Sequence, residues 1–168
     1  AAKSFSIAAQ ETSPRGLAIN PAGTKLFVLG TSGDDVNEYA LSIAFDVSSA
    51  SFTQAFSIAS QDTNPWGITF NPTGTKMFTT SAQTATPRGI EFNADGSKMF
   101  LVDNAAASID EYTLSSGFNV STASYSQTFS VSANVTEPLG LAFSTDGAEM
   151  FVTMVNTTYE ITRYSLST

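Results

Sequence analysis

The sequence predicts an all-β protein built from repeated four-stranded antiparallel units. Three observations carry that prediction. One stretch occurs four times, apolar residues alternate along the runs within and after it, and Gly, Pro, Asn and Asp gather between those runs. The copies extend from Pro14 to Phe27, Pro65 to Phe78, Pro87 to Phe100 and, more loosely, Pro138 to Phe151. Copies start 51 residues apart at 14 and 65 and again at 87 and 138, but only 22 apart at 65 and 87. The order is therefore a long unit, a short unit, a long unit and a last unit at the C-terminus. A superperiod of 73 carries Tyr39 onto Tyr112, Phe45 onto Phe118 and Phe56 onto Phe129.

The first unit shows each element in turn. Residues 16–20 read as a first strand. Residues 21–24 are a turn, in which Pro presets φ and Gly supplies a positive φ. Residues 25–30 form a second strand, 31–35 a loop, 36–41 a third strand, 45–49 a connecting loop and 51–59 a fourth strand. No segment sustains a period near 3.6 with caps, so strand of at least about 40% and helix under about 5% are expected. The short second unit lacks the stretch that supplies a third and a fourth strand in its neighbours.

Four antiparallel strands per unit of roughly 40–50 residues make the blade of a β-propeller. The first strand with Pro-x-Gly, followed by an Asn-Pro-x-Gly or Asp-Gly hairpin, resembles propeller repeats of the YVTN/NHL and WD-repeat kind over nearly the whole chain. The Trp-Asp and Gly-His pairs of WD repeats are absent, so the resemblance is to the looser bacterial and phage-type YVTN/NHL-like group. It implies a binding or assembly scaffold. Some members of such families are hydrolases or lactonases with metal ligands at the channel mouth, and no matching His or ordered acidic set stands here. On this reading the blades cover about 14–59, 65–82 in part, 87–132 and 138–168. Residues 3–8 match the fourth-strand segments 53–59 and 127–132, so they are expected to complete the last blade and close the ring. A ring that small is strained, which points to two chains sharing one larger propeller.

Composition excludes several function classes. The 7 basic and 15 acidic residues leave a net charge of −8, which opposes binding to nucleic acid or to an anionic membrane surface. With no Cys and no His, thiol chemistry, disulfides and the commonest general base and metal ligand are unavailable. No apolar run is long enough for a membrane-spanning helix. The first residues lack the regions of a signal peptide and read as a mature or trimmed end. No cofactor and no metal are expected. Asp34, Asp35, Asp103 and Asn104 lie in loops after second strands, but their spacing matches no EF-hand or RTX repeat, and such residues are ordinary in turns. Asn119, Asn134 and Asn156 head formal glycosylation sequons.

The residue between Pro and Gly varies among the copies: Arg15, Trp66, Arg88 and Leu139. In a propeller this position lies near the channel mouth. Arg15, Trp66 and Arg88 are therefore the candidate ligand-binding residues, able to hold a carboxylate or stack on a sugar ring. The bland alternative is that they pack over a turn or pair with Glu11 and Asp62. The recurring Phe27, Phe78, Phe100 and Phe151, with Phe56 and Phe129, are expected in the core between blades. No catalytic residue is assigned. The Gly-x-Ser-x-Gly elbow is absent, and Glu91, whose counterparts are Ala18, Thr69 and Ala142, has no second carboxylate identifiable from sequence.

The expected function is a non-enzymatic structural or binding module, extracellular, at a cell surface or on a virion. The alternatives are a lectin-like propeller and a glycosidase- or lactonase-like propeller enzyme. A short second unit leaves a strand edge, so self-association is expected over the stretch that begins at Lys76 and ends at Ala82, beside a glycan or protein ligand. A segment missing from the chain would instead set Phe78 and Pro87 far apart.

Overall fold

A computed structural model describes residues 2–81, 86–155 and 160–166. Among these residues the protein is all-β, with thirteen strands and two three-residue 3-10 turns. The chain divides into two compact units, Ala1–Ser81 and Ala82–Thr168.

In the first unit, β1 (Pro14–Ile19), β2 (Lys25–Gly30), β3 (Asp35–Leu41) and β4 (Ala50–Ser57) form an antiparallel sheet in chain order. β5 (Pro65–Phe70) and β6 (Met77–Ser81) form a separate hairpin. In the second unit, β7 (Pro87–Phe92), β8 (Lys98–Asp103), β9 (Ser108–Leu114) and β10 (Ala123–Ser130) repeat the four-stranded sheet. β11 (Pro138–Phe143), β12 (Glu149–Met154) and β13 (Ile161–Ser165) form a three-stranded one.

The repeated hairpin is held the same way in every copy. The Oδ1 of Asn20 accepts the N–H groups of Thr24 and Lys25 at 2.8 and 2.9 Å. Asn71 takes the Lys76 N–H at 2.8 Å and Asn93 the Lys98 N–H at 2.9 Å. In the looser fourth copy the hydroxyl of Ser144 replaces the amide and accepts from Glu149 N–H at 2.9 Å. A short polar side chain thus stands in for the backbone acceptor that a turn would otherwise lack.

The turn glycines Gly23, Gly74, Gly96 and Gly147 all have φ near +70°. Two of them are also covered. The ring of Phe45 lies on Gly23 and that of Phe118 on Gly96, each Phe itself held at positive φ, while Gly74 and Gly147 face open space. The covering Phe comes from the loop between third and fourth strands, which the second unit of the repeat lacks. Gly147→Ala is expected to lose about 1 kcal/mol from backbone strain alone. Gly96→Ala adds a clash with the Phe118 ring and is expected to lose about 1–3 kcal/mol more. Urea denaturation of the two variants measures the difference, and equal losses would contradict it.

Each unit has its own core. Leu26, Val28, Tyr39 and Leu41 form one cluster in the first unit, and Leu29, Val36, Ile58 and Ile68 another. In the second unit Val102, Ile109, Val131, Val135, Leu141, Met150, Val152 and Met154 form a single cluster that joins its two sheets. Second-strand Phe residues also link neighbouring sheets. Phe27 meets Phe70 with ring centroids 4.5 Å apart, and Phe100 meets Phe143 at 4.6 Å.

Three sequence expectations need correction or restriction. Residues 2–7 are not a strand. That segment keeps the side-chain packing of a fourth strand without its hydrogen bonds. Phe5 stands edge-on to Tyr39 at 5.4 Å, Ile7 joins the Leu26 cluster, and Lys3 pairs with Asp46. Closure of the last blade by residues 3–8 is therefore not seen, and its sheet has three strands. Phe56 and Phe129 are not core residues: they are 61% and 45% exposed on the outer strands β4 and β10. At the end of the stretch expected to self-associate, Ala82 lies outside the described residues together with 83–85, as does Asn156.

Candidate functional site

The Pro-x-Gly signature builds a bulge. The β1–β2 register slips between Pro14 and Gly16, and the other copies slip at the same place, between Pro65 and Ile68, Pro87 and Ile90, and Pro138 and Gly140. A bulge at a strand start re-aims the intervening side chain, here Arg15, Trp66, Arg88 or Leu139. Glycine is required next to it because the following first strand passes close by. A Cβ on Gly16 would sit 2.9 Å from Ile68 Cγ2 and 3.0 Å from the Trp66 carbonyl oxygen. A Cβ on Gly89 would sit 3.0 Å from Val102 Cγ2 and 3.1 Å from the Leu139 carbonyl oxygen.

The structure brings Arg15 and Trp66 together. The Arg15 guanidinium carbon lies 4.2 Å from the Trp66 ring centroid, a cation–π contact. Arg15 is exposed and Trp66 half-buried. Arg88 belongs to the second unit, where it is half-buried and its neighbouring copy supplies Leu139 instead of an aromatic ring. The acids suggested as partners are engaged elsewhere. Glu11 is 1% exposed and accepts the Ser13 and Ser32 backbone N–H groups. Asp62 accepts the Asn64 N–H at 2.9 Å.

The acidic loop residues also serve the backbone. Asp103 Oδ1 accepts the N–H groups of Ala105 and Ala106, and the Asn104 amide donates to the Pro138 carbonyl at 3.0 Å. Asp35 differs: its Oδ1 accepts from the side-chain Nδ2 of Asn37 at 2.6 Å, and burial lifts its carboxyl above the usual range. No group of three ligating side chains placed to hold a metal occurs among the described residues.

Sequence reasoning missed the surroundings of Glu91. It lines a cleft of about 1040 Å³ between the two sheets of the second unit. Cross-strand register puts Glu91, Phe100, Glu111 and Gln127 in one row across β7, β8, β9 and β10. Two strand spacings separate the Glu91 and Glu111 backbones by roughly 10 Å. Burial raises the Glu111 carboxyl, but hydrogen bonds from Gln127 at 3.0 Å and Lys98 at 2.9 Å together hold it below the usual range. Burial pushes Glu91 up to about 7. The row thus offers one carboxyl that gains and loses a proton near neutrality and one that is fixed as an ion-pair anion.

Comparison with known proteins gives the fold. No family model and no curated protein matches the sequence. Among solved structures, the chain is similar to hydrazine synthase of Kuenenia stuttgartiensis, with a TM-score of 0.62 and 14% identity over 93% of this chain and 47% of that one. It is also similar to a protein of unknown function from Desulfotomaculum acetoxidans, with a TM-score of 0.58 and 15% identity over 94% of this chain and 53% of that one. The chain spans about half the length of both. The fold is that of a propeller-like, all-β repeat protein.

Proposed function

We propose that the chain is a non-enzymatic binding and assembly module, working at a cell surface or on a virion, that associates with itself through the edge of β6. One observation carries this reading. Two third-strand Tyr rings receive an aromatic ring from the segment that precedes their sheet: Phe5 meets Tyr39 at 5.4 Å, and Phe129 meets Tyr164 at 5.4 Å. Phe56 is the equivalent of both, and its neighbouring hairpin β5–β6 has no third strand to present a Tyr. Among the described residues β6 has β5 alone as a strand neighbour. An extended segment of a second copy, laid along β6, restores the sheet and covers Phe56.

The lectin reading gains less support, because the Arg15 guanidinium already occupies a face of the Trp66 ring that a sugar would stack on. The enzyme reading lacks a second unengaged carboxylate in the Glu91 row. Phe56→Asp tests the assembly. Its side chain is exposed, so the fold is expected to persist while self-association weakens at least about tenfold, roughly 1.4 kcal/mol or more. Sedimentation velocity of the wild type and variant reads this, and unchanged association would sink the proposal.

A further inference from the structure

The third blade contains a chemical addition that the first blade shows to be dispensable for folding. In the first blade the cross-strand row is Ala18, Phe27, Glu38 and Gln54. In the third it is Glu91, Phe100, Glu111 and Gln127. The last three places are bonded identically. Lys25 pairs with Glu38 at 2.8 Å and Gln54 donates to it at 3.1 Å, while Lys98 pairs with Glu111 at 2.9 Å and Gln127 donates to it at 3.0 Å. Only the first place differs: alanine in one blade, a carboxyl in the other.

That carboxyl faces a cleft rather than a partner. No ion pair among the described residues reaches Glu91, and the polar group that favours its anion is the neighbouring Phe92 backbone. The other charged side chains on the cleft wall are Asp95, Lys98, Glu111 and Asp146. Each has an engagement of its own. Asp95 accepts from Ser97 at 2.6 Å, Asp146 accepts from Ser144 at 2.6 Å, and Lys98 and Glu111 pair with each other. The wall is therefore acidic overall, with four carboxyls to one ammonium, and Glu91 is its one carboxyl without a side-chain partner among the described residues. The rings of Phe100 and Phe143, in contact at a tilt of 49°, supply an apolar surface beside it.

We propose that this cleft binds a small organic cation, a primary ammonium on an apolar stem, with the ammonium paired to Glu91. The acidic wall attracts the charge, the Phe100–Phe143 surface covers the stem, and an aromatic face adds a cation–π attraction. A neutral ligand of the same shape would leave the ionised carboxyl buried without a counter-charge, which disfavours it. Because burial holds Glu91 near 7, a bound cation must first see the proton leave. The site lies wholly within the second unit and does not depend on the assembly proposed above.

The test is isothermal titration calorimetry of the full chain with benzylamine and with its neutral counterpart, benzyl alcohol, at pH 6 and pH 8. Benzylamine is expected to bind, with apparent affinity about tenfold higher at pH 8, because the competent, ionised fraction of Glu91 rises by that factor. Benzyl alcohol is expected to bind at least about tenfold more weakly at pH 8. Glu91→Ala, which recreates the row of the first blade, is expected to stay folded, with a cooperative thermal transition, and lose the benzylamine signal. Equal binding of amine and alcohol, a flat pH dependence, full affinity in a folded Glu91→Ala, or no binding at millimolar amine would each overturn the proposal.

Discussion

Glu91→Ala is expected to gain stability over the wild type as the pH rises, which is the reverse of what most carboxylate deletions do. The sign follows from the direction in which burial moves the group. Glu91 is raised from 4.5 to about 7, so the folded chain holds that proton more tightly than the unfolded one. Its contribution is therefore fully favourable below about pH 4.5 and is lost as the pH climbs to about 7, beyond which the loss is constant. Between pH 5 and pH 8 the lost stability is about 2–3 kcal/mol at most, since a tenfold difference in proton affinity is worth about 1.4 kcal/mol. At roughly 2–4 °C per kcal/mol, the melting temperature of the variant should gain on the wild type by roughly 5–10 °C over that interval. Thermal melts of both proteins at pH 5 and 8 read the gap directly. A gap that stays constant with pH would show that Glu91 is not desolvated in its cleft.

The second large effect belongs to the bulge. Gly89→Val is expected to cost about 3 kcal/mol or more, at the upper end of overpacking changes. A Cβ there meets Val102 Cγ2 at 3.0 Å and the Leu139 carbonyl oxygen at 3.1 Å. The second of these is backbone of a neighbouring first strand and cannot rotate away. Val102 is fully buried within the one cluster of the second unit, so its displacement spreads to Leu141 and Val152. Urea denaturation followed by circular dichroism reads the loss. A change below about 1 kcal/mol would mean that the first strands do not pack as closely as the glycine implies.

What the sequence disclosed and what it hid divide along a physical line. Local chemistry was legible. The repeated turn announces itself because a glycine takes a positive φ without strain, and Gly23, Gly74, Gly96 and Gly147 all do so. Quantities that depend on neighbours were not legible. Phe56 and Phe129 read alike in sequence, yet only Phe129 finds a Tyr ring, because the chain after Phe56 lacks the strand that would bring one. Residues 3–8 carry a fourth-strand pattern, but pattern fixes which side chains face inward, not which backbone groups the segment bonds. Position alone marks Arg15 and Trp66 in the sequence, and the bulge register brings the Arg15 guanidinium onto the Trp66 ring. Glu91 gained its meaning from comparing two rows in register, which no single strand reveals.

Native mass spectrometry of the intact protein tests the assembly most directly, because one spectrum reads both the mass of the chain and the mass of the particle. A chain of 17.7 kDa in a particle of two copies is expected, with Phe56→Asp moving the population toward single chains. A wild-type particle that remains a 17.7 kDa single chain at every concentration would contradict self-association through β6.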